Sequence, residues 1–151
     1  MKKFMYFTMC LCAMLVTLAS CSKADNELIG KWEQTIEESG VKVVSTYEFK
    51  NGGKLTQTFV MESQYPEINI VGEGDCEYTY ENGEITFKFS ASDFNFSKFE
   101  MAGYSDEMVE MMMEQVKSTM VDVEQKFTDV KINGDELTAK FDGTEVSLVR
   151  I

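Results

Sequence analysis

The chain has 151 residues, of which 44% are hydrophobic, and this length suits one compact domain. Its 26 acidic and 14 basic residues give a formal charge of −12, which disfavours nucleic acid as an electrostatic partner. The sequence contains no histidine, so Ser-His-Asp catalysis, Cys-His catalysis and histidine metal sites are excluded.

The N-terminal segment has the pattern of a secretory signal. A basic start at Met1 to Lys3 precedes an apolar run from Phe4 to Leu18, which is too short to span a bilayer comfortably. The run ends in Leu-Ala-Ser-Cys at residues 18–21, which resembles the lipobox of bacterial lipoproteins, whose cysteine is acylated and becomes the first residue. The resemblance implies a signal peptide over residues 1–20 and an acylated tether over residues 21–29.

Acylation of Cys21 would attach the protein to a membrane through its N-terminal acyl chains, because each buried methylene contributes about 0.8 kcal/mol. Ser22 follows the cysteine, which by resemblance favours the bacterial outer membrane, on either its periplasmic or its cell-surface side. All 26 acidic residues but only 12 of the 14 basic ones follow residue 20, so the mature charge would be −14. Cys76 would be the one free thiol after maturation, and no intramolecular disulfide is expected.

Beyond the tether, short runs alternate apolar and polar residues, as strands of an antiparallel sheet do. Eight runs are predicted as strands, at residues 31–37, 41–50, 54–62, 75–81, 84–90, 128–132, 136–141 and 145–150. Turns rich in asparagine and glycine at 51–53, 82–83 and 133–135 fall at one end of an up-and-down order, and the long connections fall at the other. The pattern predicts an all-β domain over 30–151, an eight-stranded antiparallel barrel that is filled or holds one small ligand.

The long connection over residues 91–127 is predicted to contain one helix, inserted between strands five and six. Ser105 is a candidate N-cap, and Asp106 and Glu107 follow it as first-turn acids. Apolar residues then recur at helical spacing: Val109, Met112, Val116, Met120, Val123 and Phe127. Thioethers are soft copper(I) ligands, but methionines at helical spacing are more often adaptable packing residues, so no metal site is expected.

Gly30-Lys31-Trp32 at the start of the first strand resembles the glycine-x-tryptophan signature of the lipocalins. Residues 47–53 resemble the second hairpin of bacterial lipocalin-like lipoproteins. The resemblance implies a barrel whose tryptophan closes the base, often under an arginine from near the C-terminus. In an eight-stranded up-and-down barrel the last strand ends where the first begins, so Gly30, Trp32 and Arg150 are the predicted closure.

The predicted inward faces carry apolar residues toward the open end. The candidate ligand contacts are Ile36, Val43, Phe59, Met61, Phe89, Met112 and Phe141. Gln34, Ser45 and Gln57 interrupt these faces, and they either orient a bound molecule or contact water or one another.

No residue set predicts an enzyme or a cofactor. Cys76 lies on an apolar strand face without a basic partner, which is typical of an inert thiol. The sequence leaves two functions open. One is a lipid-anchored envelope protein that binds a small apolar or amphipathic ligand in the barrel. The other is a non-enzymatic interaction module that holds another envelope protein through the long-loop end.

Overall fold

A computed structural model describes residues 26–151 of the chain. The predicted signal peptide, Cys21 and the first part of the tether lie outside these residues. Within residues 26–151, no helix combines the length and the hydrophobicity that a membrane span requires.

The described residues form nine strands and one long helix, after a helical turn at residues 26–28. In chain order the elements are β1 (Gly30–Glu38), β2 (Val41–Lys50), β3 (Lys54–Gln64), β4 (Glu67–Glu81), β5 (Glu84–Lys88), β6 (Phe94–Met101), α1 (Asp106–Met120), β7 (Glu124–Asn133), β8 (Glu136–Phe141) and β9 (Thr144–Arg150).

Eight of the strands close a barrel in the order β1-β2-β3-β4-β5-β7-β8-β9, and every neighbouring pair is antiparallel. β9 returns to β1 through two register pairs, Trp32 with Arg150 and Glu33 with Val149. The predicted fold class, an up-and-down antiparallel barrel with an inserted helix, is confirmed. β6 is an additional strand that pairs with β4 outside the closed circuit.

The fourth strand is longer than predicted, since it begins at Glu67 and not at Asp75. Its first part pairs with β6 and its last part with β5, so β5 and β6 run one after the other along the same edge. The helix follows β6 in the chain and precedes β7. Gly72 and Gly74 occupy two inward positions of β4 and interrupt its apolar alternation, which is why the pattern predicted a loop there.

The helix begins where the sequence predicted and ends earlier. The Ser105 Oγ accepts a hydrogen bond from the Met108 backbone N–H at 3.4 Å, which satisfies one unpaired helix donor. The helix ends at Met120, and Asp122 takes a positive φ of 61° before β7 begins. The predicted extension was wrong, because Val123 is exposed and Phe127 lies buried in the barrel wall at β7.

Burial of the inward side chains changes along the barrel axis. Near the tight turns the interior is filled by side chains that are at most 1% exposed: Trp32, Phe49, Leu55, Ile85, Leu137 and Leu148. Leu28, from the helical turn before β1, is also fully buried and covers this end. Toward the long connections Val43 and Met61 are only half-buried, and Ile36 is 50% exposed. The barrel therefore has a closed base and an open mouth.

Candidate functional site

The barrel base is closed by Trp32. Its ring is fully buried, and its Nε1 donates a hydrogen bond of 2.7 Å to the Leu28 carbonyl oxygen. The guanidinium carbon of Arg150 lies 4.2 Å from the centroid of the Trp32 ring, within the range of a cation–π interaction. The two side chains meet here because Trp32 and Arg150 are register partners between β1 and β9.

Arg150 also fixes the segment that enters the barrel. Its Nη1 donates to the Ile29 carbonyl oxygen at 2.8 Å, and its Nη2 donates to the Glu27 carbonyl oxygen at 2.6 Å. Gly30 adopts a φ of +134°, and a Cβ added there would lie 2.7 Å from the Arg150 Nη1. Glycine is required at this position both for the backbone conformation and for the approach of the guanidinium.

Four neighbouring polar side chains on the inward faces of β1, β2 and β3 form what we call the polar stripe. They are Gln34, Ser45, Tyr47 and Gln57. Gln34 pairs with Ser45 across β1 and β2, and Tyr47 pairs with Gln57 across β2 and β3, so the four lie side by side. Gln57 is 7% exposed, and its Oε1 has no hydrogen-bond partner within residues 26–151.

Tyr47 adds a neutral hydroxyl to this stripe. The residue is 6% exposed, and burial raises the pKa of its phenol to about 12, since the phenolate would lose its hydration. The ring packs edge-on against Phe127 at 5.4 Å and Phe87 at 6.1 Å between centroids. Tyr47 therefore remains a protonated hydrogen-bond donor at physiological pH.

Next to the polar stripe the barrel contains a cluster of phenylalanine rings, which we call the aromatic cluster. Its members are Phe59, Phe89, Phe94 and Phe96. The Phe59 ring lies 5.9 Å from both Phe94 and Phe96, and Phe89 lies 5.7 Å from Phe94. A Cβ at Gly72 would lie 2.4 Å from the Phe59 ring. The glycines of β4 thus provide the space that the rings occupy.

The predicted ligand contacts fall into three groups. Ile36, Val43 and Met61 are successive register partners across β1, β2 and β3 at the mouth, and the structure brings them together. Phe59 and Phe89 are buried in the aromatic cluster, and Phe89, at 1% exposure, is too deep to be a rim residue.

The remaining two predicted contacts come from other parts of the fold. Phe141 is half-buried at the end of β8 and lies 5.4 Å from Phe127 between ring centroids. Met112 is half-buried on α1, and α1 packs against β6. These two residues therefore lie on β8 and α1, and the mouth triplet of Ile36, Val43 and Met61 lies on β1, β2 and β3.

Sequence reasoning missed three inward aromatic residues. Phe94, Phe96 and Phe99 lie on β6, and their register partners Gly74, Gly72 and Ile70 face the interior. The alternation of Phe94 and Phe96 was a strand signal, but the segment was assigned to the helical connection.

The barrel wall has a lateral gap beside the mouth. β9 pairs with β1 only at two positions near the base, although β1 continues to Glu38 and β9 begins at Thr144. Gln34 and Ile36 lie on the unpaired part of β1, where Gln34 is half-buried and Ile36 is exposed. Part of the inward face of β1 is therefore exposed beside this gap.

The outer surface offers little chemistry. A groove of ≈ 620 Å³ near Cys76 is lined by charged side chains of both signs, among them Lys54, Asp75, Lys88 and Asp93. Burial raises the pKa of the Cys76 thiol to about 11, and the neighbouring acids Asp75 and Asp93 oppose ionisation further. Within residues 26–151, no group of three or more cysteine or acidic side chains is placed to hold a metal ion.

Comparison of the sequence with protein-family models and with curated proteins finds no match in either.

Proposed function

We propose that the protein is a lipid-anchored protein of the bacterial envelope that binds one small apolar or amphipathic molecule in its barrel. The observation that supports this most is the incomplete burial of apolar side chains on the inward face at the mouth. Ile36 is 50% exposed, and Val43 and Met61 are half-buried, although all three face the interior. A ligand that covers them gains about 25 cal/mol for each Å² of apolar surface removed from water.

The size of the barrel fits a single small ligand. An eight-stranded barrel has an interior that is either filled by side chains or holds one small molecule. Here the base is filled and the aromatic cluster forms a floor, so the ligand occupies the upper part, between the mouth triplet and the gap beside β1. Apolar walls with a few polar groups are the common composition of such sites.

The tether enters the barrel at the closed end, where Leu28 is buried and Arg150 holds the carbonyls of Glu27 and Ile29. Residues 22–25 span at most about 14 Å when extended. Acylation of Cys21, in the outer membrane, would therefore place the turns at Asn51, Asn82 and Asn133 toward the lipid surface and the mouth away from it. Equal access of a protease to both ends in intact envelopes would argue against this orientation.

Titration with diphenylhexatriene, a neutral hydrocarbon fluorophore, tests the proposed cup. The wild-type protein is expected to bind one molecule saturably. Met61→Glu, which puts a charge on the inward face, is expected to weaken binding by about tenfold or more, because a buried carboxylate loses its hydration. Val60→Glu is the matched control, since Val60 is also half-buried but faces outward, and it should change affinity by less than about twofold. Absence of saturable binding by the wild type would refute the cup.

A second function is favoured by exposed apolar residues at the long-loop end. Tyr65 is 94% exposed at the turn between β3 and β4, and Tyr104, Met108 and Met111 are 40%, 42% and 65% exposed around the start of α1. Exposed apolar clusters are frequent at protein interaction sites. A stable envelope partner that Met111→Lys releases and Met61→Glu retains would support an interaction module in place of the ligand cup.

A further inference from the structure

The side chain of Gln57 presents an acceptor that the protein itself does not satisfy. Gln57 is more than nine-tenths buried on the inward face of β3, and its Oε1 has no partner within residues 26–151. A buried acceptor without a partner costs stability, and a methionine of similar length would fill the same space without that cost. A bound molecule that donates a hydrogen bond to the Gln57 Oε1 would explain why an amide occupies this position.

The groups around Gln57 extend this polarity toward the outside. Tyr47 is its register partner, and burial keeps the Tyr47 hydroxyl a neutral hydrogen-bond donor. Ser45 is the next inward residue of β2, and Gln34 lies opposite Ser45 beside the lateral gap. The polar stripe thus leads from the gap to a deep pair of one acceptor, the Gln57 Oε1, and one donor, the Tyr47 hydroxyl.

The interior next to this pair carries no charge. The inward faces from Trp32 to Ile36, Val43 to Phe49, Leu55 to Ser63 and Ile68 to Tyr80 contain no acidic or basic residue. Arg150 is committed to the carbonyl oxygens at the base. A carboxylate or phosphate that entered here would lose its hydration without a counter-charge, and the acidic protein would repel it on approach.

We propose that the ligand is an apolar molecule with a neutral hydroxyl group. The hydroxyl end enters the barrel first and binds between Gln57 and Tyr47. This rests on the proposed ligand cup and specifies what the cup selects. An alcohol oxygen both donates and accepts, so it satisfies the Gln57 Oε1 and the Tyr47 hydroxyl together. The hydrocarbon part then lies against the mouth triplet.

Three probes of equal chain length test the head-group preference: decane, 1-decanol and decanoate, each displacing diphenylhexatriene from the purified mature protein at pH 8. Decanol is expected to bind about 3- to 10-fold more tightly than decane, because its two hydrogen bonds to the protein outweigh the hydration that its hydroxyl loses. Decanoate is expected to bind at least about tenfold more weakly than decanol, since its charge finds no partner in the interior.

Gln57→Met separates the head-group site from the cup. The variant should bind decane within about twofold of the wild type and lose the preference for decanol. Without ligand it should melt about 3–6 °C higher, because the unpaired acceptor is gone. Gln64→Met is the matched control, since Gln64 is exposed and faces outward on the same strand, and it should keep both the preference and the melting temperature.

The outcomes distinguish the two proposals. If decane and decanol bind the wild type equally, if decanoate binds best, or if Gln57→Met keeps the preference for decanol, the hydroxyl site is refuted and the cup stands. If Gln57→Met without ligand is less stable than the wild type, the amide is satisfied inside the protein and the hydroxyl site is refuted as well. If the wild type does not bind the fluorophore, and so shows no displacement by any of the three probes, the cup itself is refuted.

Discussion

Replacing Trp32 by alanine is expected to lower the free energy of unfolding by about 3–5 kcal/mol, the range for truncating a fully buried tryptophan. The side chain is 0% exposed, and its removal leaves the Leu28 carbonyl oxygen without the 2.7 Å hydrogen bond from Nε1. Little around it can collapse into the space, because the neighbouring side chains belong to paired strands of a closed barrel.

Arg150→Ala is expected to cost less, about 2–3 kcal/mol. The guanidinium loses its place over the indole ring, which contributes about 0.5–2 kcal/mol, and two charge-assisted hydrogen bonds to backbone carbonyls. The hydrogen bond to the Glu27 carbonyl is exposed and the one to the Ile29 carbonyl is part-buried, so water replaces part of the lost interaction. The Arg150 side chain itself is 29% exposed, so it buries less surface than Trp32.

Urea unfolding at equilibrium, followed by far-ultraviolet circular dichroism, measures both changes without relying on the fluorescence of Trp32, the one tryptophan of the chain. The double variant completes a thermodynamic cycle, and a coupling of about 0.5–2 kcal/mol between the two side chains is expected. Val149→Ala is a suitable control on β9, because Val149 faces outward and is 55% exposed. Arg150→Ala that costs more than Trp32→Ala, or a coupling indistinguishable from zero, would refute the account of the base.

Four further changes test other parts of the structure. Gly72→Ala should destabilise by about 1–3 kcal/mol, because the added Cβ would lie 2.4 Å from a ring of the aromatic cluster, and an unchanged urea midpoint would show that the rings have room to move. Burial raises the pKa of Tyr47 from 10.0 to about 12, so the folded state retains the phenolic proton longer than the unfolded chain does. Stability should therefore fall by about 2 kcal/mol as the pH rises from 10 to 12, and Tyr47→Phe should lack this part of the fall when the two proteins are compared by urea unfolding. Met112→Asp should destabilise by about 1–3 kcal/mol and Met111→Asp by less than about 0.5 kcal/mol, because Met112 is half-buried and Met111 is 65% exposed; equal melting temperatures would show that α1 does not pack. Cys21→Ala should move a folded protein from the membrane to the soluble fraction, and continued tight membrane association would contradict lipid anchoring.

The architecture of the barrel was largely predictable because its information is local. The hairpin turns at residues 51–53, 82–83 and 133–135 contain the asparagine and glycine that tight turns require, and the structure has turns there. The flanking runs alternate with period two, which determines the inward faces of β1, β2 and β3. The position of Trp32 opposite Arg150 follows from these faces and from an even number of strands.

The parts that were mispredicted depend on contacts between distant residues. Gly72 and Gly74 look like loop residues in the sequence, and only the rings of Phe59 and Phe94 that pack on them explain why a strand needs glycine there. Phe127 continues the helical spacing of α1 by coincidence, but its pairing with Ile85 and Phe141 places it in the sheet.

The candidate site shows the same division between local and distant information. Alternation placed Gln34, Ser45 and Gln57 on the inward face, and the structure has them there. Gln57 is the one of these three residues whose deeply buried acceptor has no partner within residues 26–151. This difference depends on side chains from several strands. Inward orientation was therefore predictable, and the role of Gln57 was not.

Native mass spectrometry of the mature protein, extracted from its own envelope in mild detergent, tests the ligand cup most directly. The mature protein is expected to include a population that carries one noncovalent small molecule, which collisional activation removes, and this population should be much smaller in the Met61→Glu variant. Its fragmentation should identify an uncharged, hydroxyl-bearing apolar compound. Protein that carries only its covalent acyl chains, or that is always bound to a second protein and never to a small molecule, would contradict the central claim.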